Sequence, residues 1–212
     1  MTHATKTLGI IGAGRMGQAI GRLATDAGWH LLYHDACIDE AILPQVKAVS
    51  EDAELVDRED LCRRADIVIL AIPFSTSCGL DYSLLDGKIV IDPMNYWAEY
   101  DGIVPELVGY EGTTSQIVWD RNPKMRLVKT LNHQAWRDLE SDARSSSVAK
   151  RRAFAVCSDD TCAQQAVAEL IDDMGFDPVP VPFSYAKSLE MGGPIFGRHL
   201  DVEGMKKALQ II

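Results

Sequence analysis

Residues 8–20 read LGIIGAGRMGQAI. An apolar run, Leu8 to Ile11, ends in a glycine; Met16 to Ala27 then carries a helical pattern closed by Gly28, the residue type favoured just past a helix C-terminus. The stretch predicts strand, turn, helix. Gly12, Gly14 and Gly17 fall in the turn as G-x-G-x-x-G, the placement in which that pattern has a mechanism. Gly12 allows the tight turn, Gly14 lets the backbone approach a pyrophosphate, and Gly17 lets helix and strand pack closely. A diphosphate would lie at the helix N-terminus, where unpaired N–H groups and the helix dipole favour negative charge. The plain alternative is a glycine-rich turn that holds no ligand.

Working outward, His30 to His34 predicts a second strand and Glu54 to Val56 a short third one. Asp57 predicts an N-cap for a helix over Arg58 to Ala65, with Asp60 in the capping-box position. Ile67 to Ile72 and Lys88 to Ile91 are continuous apolar runs of the kind that strands covered on both faces require. Further strands are expected over Arg126 to Leu131 and Ala153 to Cys157, and helices over Gln134 to Asp142 and Thr161 to Met174. Val179 to Val181, fenced by Pro178, Pro180 and Pro182, predicts an edge strand, since proline cannot donate to a ladder. Strand and helix alternating throughout predict an α/β fold, a doubly wound, mainly parallel sheet of the Rossmann type. Residues 1–182 are expected to form the dinucleotide-binding domain and 183–212 a short helical C-terminal tail, packed on it or on a partner subunit.

The chain has 212 residues, 47% of them hydrophobic, with 21 Lys plus Arg against 31 Asp plus Glu. A net charge of −10 and a pI near 4.9 oppose binding to nucleic acid or to an anionic membrane surface. Five cysteines, odd in number and without a C-x-x-C pair, argue against a disulfide framework and a structural zinc site. The polar start, Met1 to Lys6, is too short for a charged n-region with an apolar h-region behind it, so no secretory signal is expected, and the longest apolar run, Ile67 to Phe74, is too short to span a bilayer. A cytoplasmic protein with reduced thiols, and no metal, is expected.

Asp35 ends the second strand 18 residues after Gly17, near the spacing at which an acidic residue bonds the adenosine ribose hydroxyls. Its charge favours NAD, while His34 and Arg15 leave NADP open. In an open parallel sheet the ligand crosses the carboxyl ends of the strands, which selects the loops after Ile72, Ile91 and Leu131: Pro73-Phe74-Ser75, Asp92 to Trp97, and Asn132-His133-Gln134. Prolines, amides and aromatics there suit a flat, mostly uncharged ring shielded from water. No nucleophile constellation or metal-ligand spacing is present in the pattern, so the chemistry belongs to cofactors. Cys157 and Cys162 are expected to pack as small apolar residues.

In this order and at this length, LGIIGAGRMGQAI, ADIVILAIPF, KIVIDPMN, RLVKTLN and SDDTCAQQAVAELIDDMGFDPVPV followed by AKSLE resemble the coenzyme F420-dependent NADP oxidoreductases and their dinucleotide-binding relatives over nearly the whole chain. The resemblance implies hydride transfer between the nicotinamide of NADP and a stacked deazaflavin, in a homodimer. It implies that Ala13, Arg15 and Met16 line the diphosphate, that Ile72, Pro73 and Phe74 flank the cofactor, and that Asn95 lies at the nicotinamide end. Three departures stand out. Asn132 takes the place of a histidine found near the deazaflavin in some members, Asp35-Ala36 replaces a phosphate-gripping Ser-Arg pair, and Tyr96-Trp97 replaces a Pro-Leu pair. Trp97 then borders the second pocket, Asn132 is a candidate catalytic residue, and His133 is a candidate proton donor or a plain loop residue. Arg144, Lys150, Arg151 and Arg152 would hold the anionic tail of a deazaflavin or form a solvated loop. The expected function is an oxidoreductase moving hydride between NADP or NAD and a second small-molecule redox substrate, with coenzyme F420 foremost. The alternatives are a reductase of a flavin, quinone or metal chelate, and a dinucleotide-binding sensor without turnover.

Overall fold

The strands are β1 (Thr7–Ile11), β2 (His30–His34), β3 (Glu54–Leu55), β4 (Ile67–Leu70), β5 (Ile89–Asp92), β6 (Arg126–Lys129), β7 (Ala153–Cys157) and β8 (Asp177–Val181). The helices are α1 (Arg15–Asp26), α2 (Ile42–Val49), α3 (Arg58–Arg64), α4 (Phe74–Ser77), α5 (Ala98–Asp101), α6 (Thr114–Arg121), α7 (Trp136–Asp142), α8 (Thr161–Asp173), α9 (Ala186–Leu189) and α10 (Val202–Leu209). The structure is a computed structural model and describes residues 6–36, 41–144 and 150–211. One sheet runs in the order β3-β2-β1-β4-β5-β6-β7-β8. This is a Rossmann-type doubly wound α/β fold with helices at its C-terminal end.

Side-chain alternation divides the strands between two faces. Leu8, Ile10, Leu31, Tyr33 and Ile69 join α1 and α8 in one core; Ile11, Leu32, Val68, Leu70 and Val90 join Leu61 of α3 in another. Burying a side chain such as Leu8 or Ile69 contributes on the order of 1.5–3 kcal/mol. A third core closes the far edge, where Ala155 and Cys157 of β7 and Val179 and Val181 of β8 pack on Leu189, Ile195 and Met205. The C-terminal segment therefore covers β7 and β8 of its own chain.

Pairing is parallel from β3 to β6 and again between β7 and β8, but β6 and β7 are antiparallel, joined at Lys129 and Cys157. The sheet is mainly parallel, as expected, with one antiparallel junction. A parallel neighbour needs a crossover helix packed on the sheet, whereas short α7 packs against α1, and the chain enters β7 from the opposite end. The proline-bearing strand β8 lies at the edge, as its sequence requires. Asp57 caps α3 by accepting a hydrogen bond from Asp60 N at 2.7 Å. Helices α2 and α6 had no counterpart in the sequence reading; α6 is started by Thr113 Oγ1, which accepts from Gln116 N at 3.0 Å.

Candidate functional site

Strands β1 and β4 are neighbours, and successive strands leave them in opposite directions. The crevice outside their carboxyl ends is where an open sheet of this kind takes ligands. Two cavities meet there, sharing Gly14, Ala71, Ile72 and Pro73. One, of about 420 Å³, has His34, Asp35, Arg58, Thr76 and Leu80 on its walls. The other, of about 300 Å³, has Arg15, Met16, Asn95, Trp97 and Tyr100.

The three glycines of the turn do different work. Gly12 has φ +106°, and a Cβ there would meet Ala71 O at 2.3 Å. A Cβ on Gly17 would meet Gly12 O at 2.1 Å. Gly14 is unlike both: its φ of −73° suits any residue, and nothing lies within 4 Å of the Cβ position. Its bareness serves neither backbone nor core; it keeps open the cleft at the N-terminus of α1. Tyr33 fastens the turn from below, donating its hydroxyl to Gly17 O at 2.9 Å, and burial pushes that hydroxyl's pKa up so that it stays a donor. Ala13 is buried and contributes its N–H, which donates to Asp35 Oδ2 at 2.8 Å.

Asp35 therefore lies on the wall of the larger cavity, tied to the glycine turn. His34 is held by a 3.2 Å bond between Nδ1 and Val56 O, which makes Nδ1 the donor. Arg15 is not beside Asp35: its guanidinium lies 5.3 Å from the centre of the Trp136 ring, on the side of the smaller cavity. The cation at the Asp35 end is Arg58, at the start of α3. Reading the sequence stopped at the Asp57 cap and passed over it. The signal was available, because the loop after β3 opens at the same carboxyl edge as the loop after β2.

At the other end, Asn95 and Trp97 line the smaller cavity, and a buried polar network holds their loop. Asp92 and Lys129, both without exposed surface, are 3.3 Å apart. Lys129 Nζ also donates to Met94 O at 2.6 Å, while Asp92 accepts from Met94 N at 2.8 Å and from Ser115 Oγ at 2.5 Å. Asn132 is 1% exposed and stands behind the wall. Its Nδ2 donates to Asn95 Oδ1 at 3.0 Å and to Leu189 O at 2.7 Å, and Asn95 Nδ2 donates back to Asn132 O at 2.6 Å. The residue before it, Leu131, has φ +66°, a left-handed conformation that costs a non-glycine residue about 1–2 kcal/mol. The Asn132 bonds hold the chain in that turn.

Two expected site residues are elsewhere. Phe74 is fully buried in the core below α4, with its ring edge-on to Tyr96, because its side chain points away from the cleft that Pro73 faces. His133 is 2% exposed and packs 5.0 Å from the Phe154 ring. Burial, with the Arg152 and Lys129 charges adding to it, pushes its pKa down to about 3. It is a neutral core side chain at ordinary pH, not an imidazolium proton donor.

Of the four basic residues singled out, Arg144 and Lys150 are exposed, whereas Arg151 and Arg152 are internal. Arg151 bonds Asp177 at 2.8 Å and pairs with Asp172; Arg152 pairs with Asp142 and donates to Gln134 and to Arg198 O. Both guanidiniums are buried in these contacts, which argues against a solvated loop or a ligand's anionic tail at these two positions. Residues 145–149 and Cys37 lie outside the described residues. Cys157 is buried as expected, whereas Cys162 is exposed. Hollows of about 440 and 530 Å³ lie elsewhere, the larger at the amino ends of β1, β4 and β5, away from the edge where such sheets bind ligands. Among the described residues no helix is long and apolar enough to cross a membrane, and no group of three His, Cys, Asp or Glu is placed to hold a metal ion.

Strand order, glycine turn and cleft together define a dinucleotide-binding type of Rossmann fold. Residues 7–96 match the family model described as NADP oxidoreductase, coenzyme F420-dependent. A glyoxylate reductase of Pyrococcus horikoshii is 39% identical over 70 residues, 33% of this chain and 20% of its own length. A D-3-phosphoglycerate dehydrogenase of Methanocaldococcus jannaschii is 39% identical over 71 residues, 33% of this chain and 13% of its own. The chain thus spans a fifth or less of these curated relatives. Among solved structures, a hypothetical protein from Sinorhizobium meliloti superposes with a TM-score of 0.77 at 24% identity, covering 93% of this chain and 96% of that one. A proposed F420-dependent NADP reductase from Arthrobacter sp. FB24 superposes with a TM-score of 0.67 at 18% identity, covering 85% and 86%. At these identities the structural likeness shows the fold.

Proposed function

We propose that the chain is an NAD(P)-dependent oxidoreductase that passes hydride between the dinucleotide and a second small-molecule redox substrate, with the deazaflavin coenzyme F420 as first candidate. The observation that carries this reading is the bare Gly14 backbone, facing open space where the two cavities join at the N-terminus of α1. Residues present fit an extended dinucleotide. The first turn of α1 offers N–H groups to the diphosphate, Asp35 faces the adenosine ribose, and the Ile72-Pro73 ridge separates the two halves. Asn95 presents an amide at the nicotinamide end, with Asn132 positioning it and Trp97 and Tyr100 walling the cavity. When bound, the nicotinamide supplies the hydride chemistry. The chain's part is to orient the ring and exclude water, which explains why no acid or base constellation lines the cleft among the described residues.

A homodimer goes with this reading. Tyr100, on the wall of the smaller cavity, and Ile103 and Val108, farther along the same segment, are 82%, 86% and 75% exposed, apolar area that a second copy would cover. Light scattering in solution tests that assembly, and a cytoplasmic setting accords with the same reading. The test of function is absorbance: NADH or NADPH is mixed with protein and F420, and in parallel with FMN, a quinone or a ferric chelate. Decay of the nicotinamide band with F420 supports the proposal. Tight dinucleotide binding with no decay in any mixture would contradict it and favour a sensor.

A further inference from the structure

We propose that the adenosine end of the cleft is built for NAD(H) and against NADP(H), with Asp35 taking the ribose hydroxyls and the Arg58 guanidinium lying against the adenine ring. The inference rests on the dinucleotide reading above and assigns its specificity. Asp35 is fixed by the 2.8 Å bond from Ala13 N, so its carboxylate stays at the glycine turn, where a ribose must pass if the diphosphate is to reach Gly14. A 2′-phosphate would enter beside that carboxylate. Asp57 and Glu59 add two more acidic side chains at the outer rim, against one arginine. Refusal by like charge is as effective a source of specificity as attraction.

Arg58 is the one cation lining both hollows at this end among the described residues. Its Nε is buried without a hydrogen-bond partner, and it forms no ion pair within 4 Å among those residues. Its charge is not idle, because it is among the groups that hold the Asp81 carboxyl below its ordinary pKa, after the Ser83 hydrogen bonds. The guanidinium shares the larger cavity with Ile72 and Leu80. A planar cation beside these apolar side chains suits a flat heterocycle, through stacking and cation–π attraction. Gripping a phosphate there would bring a dianion into the cavity that Asp35 occupies.

Calorimetric titration with NADH and NADPH, on the native chain and on Arg58→Ala, tests this, with a thermal melt to confirm that both are folded. The native chain should bind NADH at least about tenfold more tightly than NADPH. Arg58→Ala should weaken both by roughly three- to tenfold, the size of a partly shielded cation–π contact, and leave their ratio unchanged. Equal or tighter NADPH binding would overturn the inference while leaving the dinucleotide site standing. So would a loss confined to NADPH in Arg58→Ala, which would assign the arginine to the 2′-phosphate, or no change for either ligand. Binding of neither dinucleotide by the native chain would overturn the functional reading and this inference with it.

Discussion

Lys129 Nζ lies 3.3 Å from Asp92 Oδ2 with neither side chain exposed, and the two residues face each other in register across β5 and β6. Each also bonds Met94, one at the carbonyl and the other at the N–H. A buried pair of this kind is weak evidence of net stability, but removing one partner leaves an uncompensated charge. Lys129→Met should therefore destabilise the fold by about 3–5 kcal/mol in urea denaturation. Lys129→Met with Asp92→Asn should recover part of the loss. A single variant as stable as the native chain would mean that the pair is not formed in solution.

That pair also shows where reading the sequence runs out. Strand identities along Leu8 to Ile11 and Ile67 to Leu70 were legible, because continuous apolar runs flanked by helical patterns admit little else. The glycine spacing gave the cleft, since its geometric requirements are local. Direction was not legible at β7, because it depends on where α7 packs. Facing was not legible at the loops: Pro73 and Phe74 are neighbours, yet one lines the cleft and the other fills the core. Lys129, inside RLVKTL, was a visible anomaly, as a lysine in a strand buried on both faces needs a counter-charge.

Asn132 is a positioning residue for Asn95. Asn132→Ala removes the donors to Asn95 Oδ1 and Leu189 O, leaving buried acceptors unpaired at about 1–3 kcal/mol. If Asn95 orients the nicotinamide as proposed, kcat should fall more than the dinucleotide KM rises. A change in stability with unaltered kcat would give Asn132 a structural role alone.

His133 makes stability depend on pH. Its pKa is about 3 in the fold against an ordinary 6.5, so below pH 6.5 the unfolded chain takes up a proton that the fold excludes. The stability is fully present above about pH 6.5 and is lost progressively as pH falls towards 3. Between pH 6.5 and 5 the loss should come to about 1.5 kcal/mol, the slope rising towards about 1.4 kcal/mol per pH unit as the unfolded imidazole fills. Urea denaturation at several pH values should show this slope in the native chain and not in His133→Leu. The same slope in both would place the titrating group elsewhere.

Trp97 is 43% exposed and its ring is 6.2 Å from that of Phe196 in the C-terminal segment. If the indole stacks on the second substrate, Trp97→Ala should raise that substrate's KM by an amount equivalent to about 1–3 kcal/mol, by analogy with base–aromatic stacking, without changing the melt. A lowered melting temperature with both substrates' constants affected would show that Trp97 only caps the core.

The central claim is that the Gly14 backbone receives the diphosphate of a dinucleotide. Gly14→Val tests it most directly, because its φ of −73° and the empty space around its Cβ position let the fold accept the side chain. Calorimetric titration with NADH should give binding to the native chain and none to Gly14→Val, which stays folded with its melting temperature lowered by no more than the few degrees a poorer N-cap costs. Binding of NADH to a folded Gly14→Val at native affinity would contradict the account.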